Sequence, residues 1–217
     1  IEVLRKMLQA MVEDIRVVLL RLASRTQTLR YYAANPDDLR AQVARETLEL
    51  YSPLANRLGV WELKWELEDL SFRFLHPDTY KKIARQLDEK RLEREQFITD
   101  AIERLRSELA AVGIHDAEIY GRPKHIYSIW NKMRKKGVEF SEVYDVRALR
   151  VIVDDIKQCY TALGIVHNIW TPIPKEFDDY ISNPKGNYYR SLHTAVRAPD
   201  GRSLEVQIRT WDMHKHA

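Results

Sequence analysis

Leu192–Thr210, LHTAVRAPDGRSLEVQIRT, reads as two extended runs around one turn. Pro199-Asp200-Gly201 supplies the turn, since Pro, Asp and Gly each favour the backbone of a tight reversal. Side chains alternate along a strand, so Leu204, Val206 and Ile208 fall on one side and Glu205, Gln207 and Arg209 on the other. In the first run Leu192, Thr194 and Val196 share a face, with His193 opposite. One face of the hairpin is therefore polar over several successive positions. A half-buried sheet with its polar side in water has the same pattern, and the alternation alone leaves both readings open.

Upstream, Val146–Val153 is rich in β-branched residues and reads as a central strand. Tyr144-Asp145 enters it, with Arg147 in phase with Asp145. If this strand neighbours the hairpin, Asp145 and Glu205 converge. Two carboxylates are the hard oxygen ligands that hold Mg²⁺ against phosphates. Glu118–Tyr120 is a short strand, and Pro123–Lys136 a helix whose last turn is basic (Lys132, Arg134, Lys135, Lys136), as the helix dipole favours. Arg122-Pro123-Lys124-His125 opens that helix, where free N–H groups and positive side chains suit an anionic phosphate. Ile156–Trp170 is a further helix. Pro172–Gly186, with three prolines and a glycine, is expected to be mostly loop.

The first half reads as helical. Leu4, Met7, Leu8, Met11, Ile15, Val18, Leu19 and Leu22 recur at helical spacing. Asn35-Pro36-Asp37-Asp38 is read as a helix start, with Asn as cap, Pro in the first turn and acids against the dipole, and the helix is expected to run to about Tyr51. Trp61, Trp65, Leu67, Leu70 and Phe74 mark another. Pro77–Ala111 is densely charged with a thin apolar stripe, and reads as one or two exposed helices joining two units.

Composition sets outer limits. The 217 residues are 45% hydrophobic and 31% charged, which suits a globular chain rather than a disordered one. No apolar run approaches the ~20 residues of a membrane span, and the N-terminus lacks the features of a signal peptide. A single cysteine, Cys159, excludes an internal disulfide and a multi-cysteine metal site. Net charge is +3, too mild to imply nucleic acid as a partner. A cytoplasmic protein without membrane or DNA partners is expected. The chain lacks an initial Met, begins inside a helical pattern, and reads as part of a longer protein.

Four pieces, GRPKHIYSIWNKM (Gly121–Met133), VYDVRALRVIV (Val143–Val153), EFDDYISNPKGNYYRSLHT (Glu176–Thr194) and LEVQIRT (Leu204–Thr210), occur in order across residues 118–217. Together they resemble the RelA/SpoT alarmone synthetases. The resemblance implies an α+β fold: a nucleotidyltransferase-like mixed β-sheet flanked by helices, preceded by an all-helical N-terminal segment. It divides the chain into 1–60, the last helices of a degenerate HD-type hydrolase domain; 61–111, a helical linker; and 112–217, the synthetase domain. It implies transfer of pyrophosphate from ATP to the 3′-hydroxyl of GDP or GTP, with Mg²⁺ as cofactor. Asp145 would hold the metal, and Glu205 would be a second ligand or the base. Arg122, Lys124, His125 and Ser128 would line the ATP site. Tyr189 would stack on guanine, with Lys185, Asn187 and His193 completing the guanine-nucleotide pocket. Gln207 and Arg209 would lie near phosphates or serve structure, and Tyr188 would pack.

Glu176, Asp178 and Asp179 are the acidic form of a motif that bifunctional relatives carry as Arg-x-Lys-Asp. The acidic form resembles synthetase-dominant, RelA-type members, implies GDP as favoured acceptor, and could recruit a second Mg²⁺. Competent hydrolases read Leu-Ala-Asp-Arg-Leu-His-Asn where this chain has Leu22-Ala23-Ser24-Arg25-Thr26-Gln27-Thr28; neutral Ser24 replaces a metal-binding Asp, so no hydrolysis is expected. The chain also departs from the family pattern, with Arg190 in place of Gln and Gly186 in place of Pro. Ribosome or tRNA contacts would belong to regions beyond this chain. The alternatives are a nucleotide-binding regulatory fragment of the same family, a transferase acting on RNA ends, and a helical interaction protein. The first is opposed by the joint presence of Asp145 and Glu205, the second by the weak charge, the third by the motifs of the second half.

Overall fold

The computed structural model describes all residues except 1, 4, 7, 8, 10–13, 123, 141–146 and 187. They form two units, Ile1–Ala84 with His125–Tyr127, and Arg85–Lys124 with Ser128–Ala217.

The first unit contains helices α1 (Ile15–Ala34), α2 (Arg40–Glu46), α3 (Ser52–Leu58) and α4 (Trp61–Leu75), with a π-helical turn at Thr47–Tyr51 joining α2 to α3. Asp14 starts α1 by accepting from Arg16 N at 2.9 Å. Of the helically spaced apolar positions, Val18 and Leu22 enter a core with Leu29, Ala44, Tyr51, Leu54, Leu67 and Phe74, whereas Ile15 and Leu19 are exposed. Leu4, Met7, Leu8 and Met11 lie outside the described residues. Asn35 ends α1 rather than starting α2: its backbone N and its Nδ2 both donate to Tyr31 O, at 2.8 and 3.1 Å. Asp37 does the expected starting work, accepting from Leu39 N at 2.8 Å. The helix expected to stop near Tyr51 continues through the π turn to Leu58. Buried Glu68 is satisfied by Ser52 Oγ at 2.7 Å and by Lys64 at 3.4 Å.

Helix α5 (Pro77–Glu89) contains the boundary between the units. There follow α6 (Arg91–Ala111), β1 (Glu118–Gly121), α7 (Ile126–Lys136, in the second unit from Ser128 on), β2 (Ala148–Val153), α8 (Ile156–Ile169), β3 (Thr171–Asp179), β4 (Leu192–Arg197), β5 (Ser203–Thr210) and α9 (Trp211–His216). The strands form one mixed sheet in the order β1-β2-β5-β4-β3. Only the β2–β5 pairing is parallel among these neighbours. The α+β architecture expected from the sequence is present. Ile119, Leu149, Val151, Val196, Leu204, Val206 and Ile208 bury one sheet face against Leu105 and Leu109 of α6 and Cys159, Ala162 and Val166 of α8. The charged stretch before residue 111 thus supplies a core stripe as well as a connection.

The Pro172–Gly186 expectation needs correction, because Thr171–Asp179 is a strand. It is the edge strand, so Pro172 and Pro174 sacrifice no essential ladder donor. A register shift between Pro172 and Phe177, with Lys175 at φ 66°, bends it out of regular pairing. The hairpin turn is as expected, with Gly201 at φ 84°. No helix among the described residues is long and apolar enough to cross a membrane.

Candidate active site

The second sheet face is built by register. Tyr120 pairs with Arg150, Arg150 with Gln207, Gln207 with His193, and His193 with Asp178, so one polar rung crosses all five strands. One step along, Ala148 and Ala195 flank Glu205. These alanines leave room on both sides of the carboxylate, and cations from the β1–α7 connection occupy it. Arg122 Nη1 donates to Glu205 Oε1 at 3.1 Å and Lys124 Nζ to Oε2 at 2.8 Å. Arg122 is positioned by its own N–H, which continues the β1 ladder to Ala148 O at 2.8 Å. Burial alone would raise the Glu205 carboxyl; the charges of Lys124, Arg122 and Lys132 and the Lys124 hydrogen bond outweigh it and hold it at about 2. Burial draws the Lys124 ammonium below its usual value against the pull of Glu205, and takes Lys132 to about 8.

Along the rung, Arg150 Nε donates to Gln207 Oε1 at 2.7 Å. The Gln207 amide then reaches Tyr189 OH and lies 2.9 Å from His193 Nε2, and Tyr189 OH sits 2.8 Å from the same nitrogen. Burial pushes His193 down to about 4, so its ring is neutral at neutral pH. Tyr180 stands edge-on to Tyr189 and His193, and Lys185 Nζ lies 4.4 Å from the Tyr180 ring centroid and 5.9 Å from that of Tyr189. Arg209 is 3% exposed; one end contacts His214 Nδ1 at 2.7 Å, and its Nε has no hydrogen-bond partner among the described residues. Burial lowers its guanidinium to about 10. The face therefore gathers cations around one carboxylate beside an aromatic and amide cluster, a setting suited to a polyphosphate with an attached base.

The structure brings Arg122, Lys124 and Glu205 together, and Lys185, Tyr189, His193 and Gln207 into a second group beside them. Asp145 and Asn187 lie outside the described residues. Ser128 lies on α7 one turn before Lys132. His125 belongs to the first unit. Its ring stacks on Trp65 with centroids 4.4 Å apart, its Nδ1 is 3.6 Å from Asp69 Oδ2, and its Nε2 is buried without a hydrogen-bond partner among the described residues. The acidic motif is divided. Glu176 lies 3.8 Å from Lys136 and Asp178 ends the rung. Asp179 accepts from Ile181 N, Ser182 N, Ser182 Oγ and Tyr160 OH, and so shapes a turn. The motif sits on strand β3, not on a loop. Tyr188, expected to pack, is 88% exposed with φ 61°. Arg190 lines, with Tyr188, Lys157 and Asp212, a cavity of about 590 Å³ at the carboxyl ends of β2 and β5. Arg147, in the sequence pattern a companion of Asp145, lies with its guanidinium 5.3 Å from the Phe97 ring of α6.

Lys132 and Arg150 were not singled out by the sequence. Lys132 was one of four cations at a helix end; its spacing from Lys124 and Ser128 was the available signal. Arg150 was hidden inside an apolar strand pattern, where an in-phase charge between Ala148 and Ile152 marks the same face. The described residues contain no group of three or more His, Cys, Asp or Glu that could hold a metal ion. Glu205 is nevertheless an ionised, hard oxygen donor with Arg122 and Lys124 beside it. That fits Mg²⁺, which binds through one or two carboxylates and substrate phosphates.

Comparison with known proteins accounts for both units. Residues 121–217 match the region found in RelA/SpoT proteins, and residues 1–61 match an HD domain. A GTP pyrophosphokinase of Escherichia coli is 53% identical over 213 residues, 98% of this chain and 28% of that protein. A probable guanosine-3′,5′-bis(diphosphate) 3′-pyrophosphohydrolase of Synechocystis is 48% identical over 210 residues, 97% of this chain and 28% of that protein. The chain thus spans under a third of the length of these relatives. Among solved structures, small alarmone synthetase 1 of Bacillus subtilis bound to its product pppGpp aligns with a TM-score of 0.48 at 24% identity, over 62% of this chain and 76% of that one. With residues 121–217, which carry Arg122, Lys124, Lys132, Glu205 and the Tyr189–His193–Gln207 cluster, matching the RelA/SpoT region, and about half of all positions shared with much longer relatives, this chain belongs to the RelA/SpoT family.

Proposed function

We propose that this chain transfers pyrophosphate from ATP to the 3′-hydroxyl of GDP or GTP, making (p)ppGpp. The observation that carries the reading is the grouping of Arg122, Lys124 and Lys132 around Glu205 beside the Tyr189–His193–Gln207 cluster, within the family-matched region. The acceptor 3′-oxygen forms a bond to the β-phosphorus of ATP, the bond from that phosphorus to the α,β-bridging oxygen breaks, and AMP leaves. Such a transfer asks for in-line placement and charge neutralisation rather than covalent work by the protein.

Arg122, Lys124, Lys132 and Ser128 take the ATP phosphates. Arg209 is suited to phosphate by its buried Nε, which lacks an acceptor among the described residues. Tyr189 provides the ring for guanine, with Lys185, Asn187 and His193 beside it; neutral His193 can accept as well as donate. Glu205 and Asp145 hold Mg²⁺, which supplies charge neutralisation on the transferred group. A carboxyl held near 2 is a weak base at neutral pH. Glu205 therefore serves as metal ligand first, and takes the acceptor proton only when its cations have turned to phosphate. Glu176 and Asp178 favour GDP. Asp179 is committed to its turn.

The first unit has no hydrolase role, since Ser24 offers a neutral hydroxyl where a metal-binding carboxylate is needed. The activity belongs to the cytoplasm and needs no membrane or DNA.

The test is thin-layer chromatography of labelled ATP with GDP, with GTP and with neither, in Mg²⁺. Label in a guanosine tetra- or pentaphosphate spot, lost in Asp145→Ala and Glu205→Ala, supports the reading. Nucleotide binding without product makes the chain a regulatory nucleotide-binding module. Mn²⁺-dependent release of pyrophosphate from ppGpp overturns the assignment of no hydrolysis.

A further inference from the structure

Both oxygens of Glu205 are committed to cations, Oε1 to Arg122 at 3.1 Å and Oε2 to Lys124 at 2.8 Å, and all three side chains are at most 18% exposed. On the functional reading above, these cations are the phosphate ligands and this carboxylate is a metal ligand. Without substrate they neutralise one another. A nucleotide arriving alone must compete with a carboxylate for Arg122 and Lys124 and then lie against its negative charge. A divalent cation arriving alone must draw Glu205 from two cations, with Lys132 also near. Arriving together, the two ligands let every charge exchange one partner for another of the same sign, so neither cations nor carboxylate are left buried and unpaired.

We infer that the Arg122–Glu205–Lys124 bridge is an exchange latch that makes nucleotide binding and divalent-cation binding at this face depend on each other. The inference rests on the proposed synthetase site and goes beyond it. A site that merely collected phosphate ligands would hold its cations free, and a dedicated metal site would hold its carboxylate free. Here the mutual pairing couples the two affinities, and such coupling is reciprocal by thermodynamic linkage. It has an unusual consequence: removing the charge of a catalytic carboxylate strengthens one kind of substrate binding. Glu205→Gln leaves Arg122 and Lys124 available to phosphate and abolishes the demand for metal in binding.

The experiment is calorimetric titration with α,β-methylene ATP, with Mg²⁺ and with EDTA, at one ionic strength. The wild type is expected to bind the analogue on the order of tenfold more tightly with Mg²⁺, within the usual range of site coupling. Glu205→Gln is expected to bind it in EDTA about tenfold more tightly than the wild type does, and to lose most of the Mg²⁺ dependence. A thermal melt verifies that the variant is folded. The reciprocal measurement is Mn²⁺ binding without nucleotide, followed by electron paramagnetic resonance, where Lys124→Met should bind Mn²⁺ more tightly than the wild type; it stands alone if Glu205→Gln does not fold. Unchanged or weaker EDTA binding by folded Glu205→Gln, or Mn²⁺ binding unmoved in Lys124→Met, overturns the latch while Mg²⁺-dependent binding by the wild type leaves the synthetase reading intact. Absence of analogue binding in every condition overturns both.

Discussion

On one face of β5, Leu204, Val206 and Ile208 lie buried among Leu149, Val151 and Val196. On the other, Gln207 and Arg209 are 2% and 3% exposed, and Glu205 is held by two cations. The faces are alike in burial and opposite in chemistry. An ordinary half-buried sheet would hydrate the polar side and ask nothing more of it. Here each polar group taken from water needs a partner, at a cost of about 1–3 kcal/mol for one left unsatisfied. The partners come from neighbouring strands and from the β1–α7 connection. The apolar face stabilises the unit without specifying a ligand. The polar face spends stability on an arrangement that leaves Arg209 Nε without an acceptor among the described residues and holds Glu205 between two cations.

Substitutions on the two faces should therefore fail in different assays. Ile208→Ala removes buried methyl groups from the core and should cost about 2–5 kcal/mol in urea unfolding, while the folded fraction keeps its ratio of GDP to GTP use. Glu205→Gln should lower product formation by roughly 10²–10³-fold, the usual loss when one electrostatic stabiliser is removed, with thermal stability changed much less than activity. If Glu205→Gln melts as severely as Ile208→Ala, the polar face is structural and the contrast fails.

Gln207→Leu tests the middle of the rung. It leaves Arg150 and the Tyr189–His193 pair without their bridge, and should cost about 1–3 kcal/mol of stability. It should also weaken guanine-nucleotide binding more than ATP binding, measured by titration with each nucleotide. Equal weakening of both would detach Gln207 from the acceptor side.

The same face also makes stability depend on pH. His193 titrates near 4 in the folded chain against 6.5 for an ordinary imidazole. Between these values the unfolded chain binds more protons, so stability should fall as pH drops from about 6.5 to about 4 and become level with respect to this group below that. Glu205 adds a loss confined to lower pH, from its ordinary 4.5 towards about 2. His193→Gln should make the first window shallower, leaving the part contributed by His167 and His214, which burial also lowers, and should spare the second, read from urea midpoints against pH.

Much of this was legible in the chain. The hairpin, the central strand and the helix with a basic end all follow from periodicity and turn chemistry, which are local. The missed elements share one cause. Asn35 could cap either the helix before it or the one after, and the choice depended on which backbone group was free. Pro172 and Pro174 argued for loop and were accommodated because β3 became an edge strand. Tyr188 looked like a packing aromatic, yet it has φ 61° and is 88% exposed.

By itself the sequence determined the two periodicities, the order of four motifs and the identity of the carboxylate, cations and aromatic residues that form the site. It could not show that Gln207 and Arg209 are buried, that Glu205 is already paired, or that Arg150 and Lys132 lie beside them. Those depend on pairings between residues 57 to 83 positions apart, such as Arg150 with Gln207 and Arg122 with Glu205. Alternation records which side of a strand a residue takes. Only the register of one strand against the next, and the helix connection laid across them, decides what it meets there.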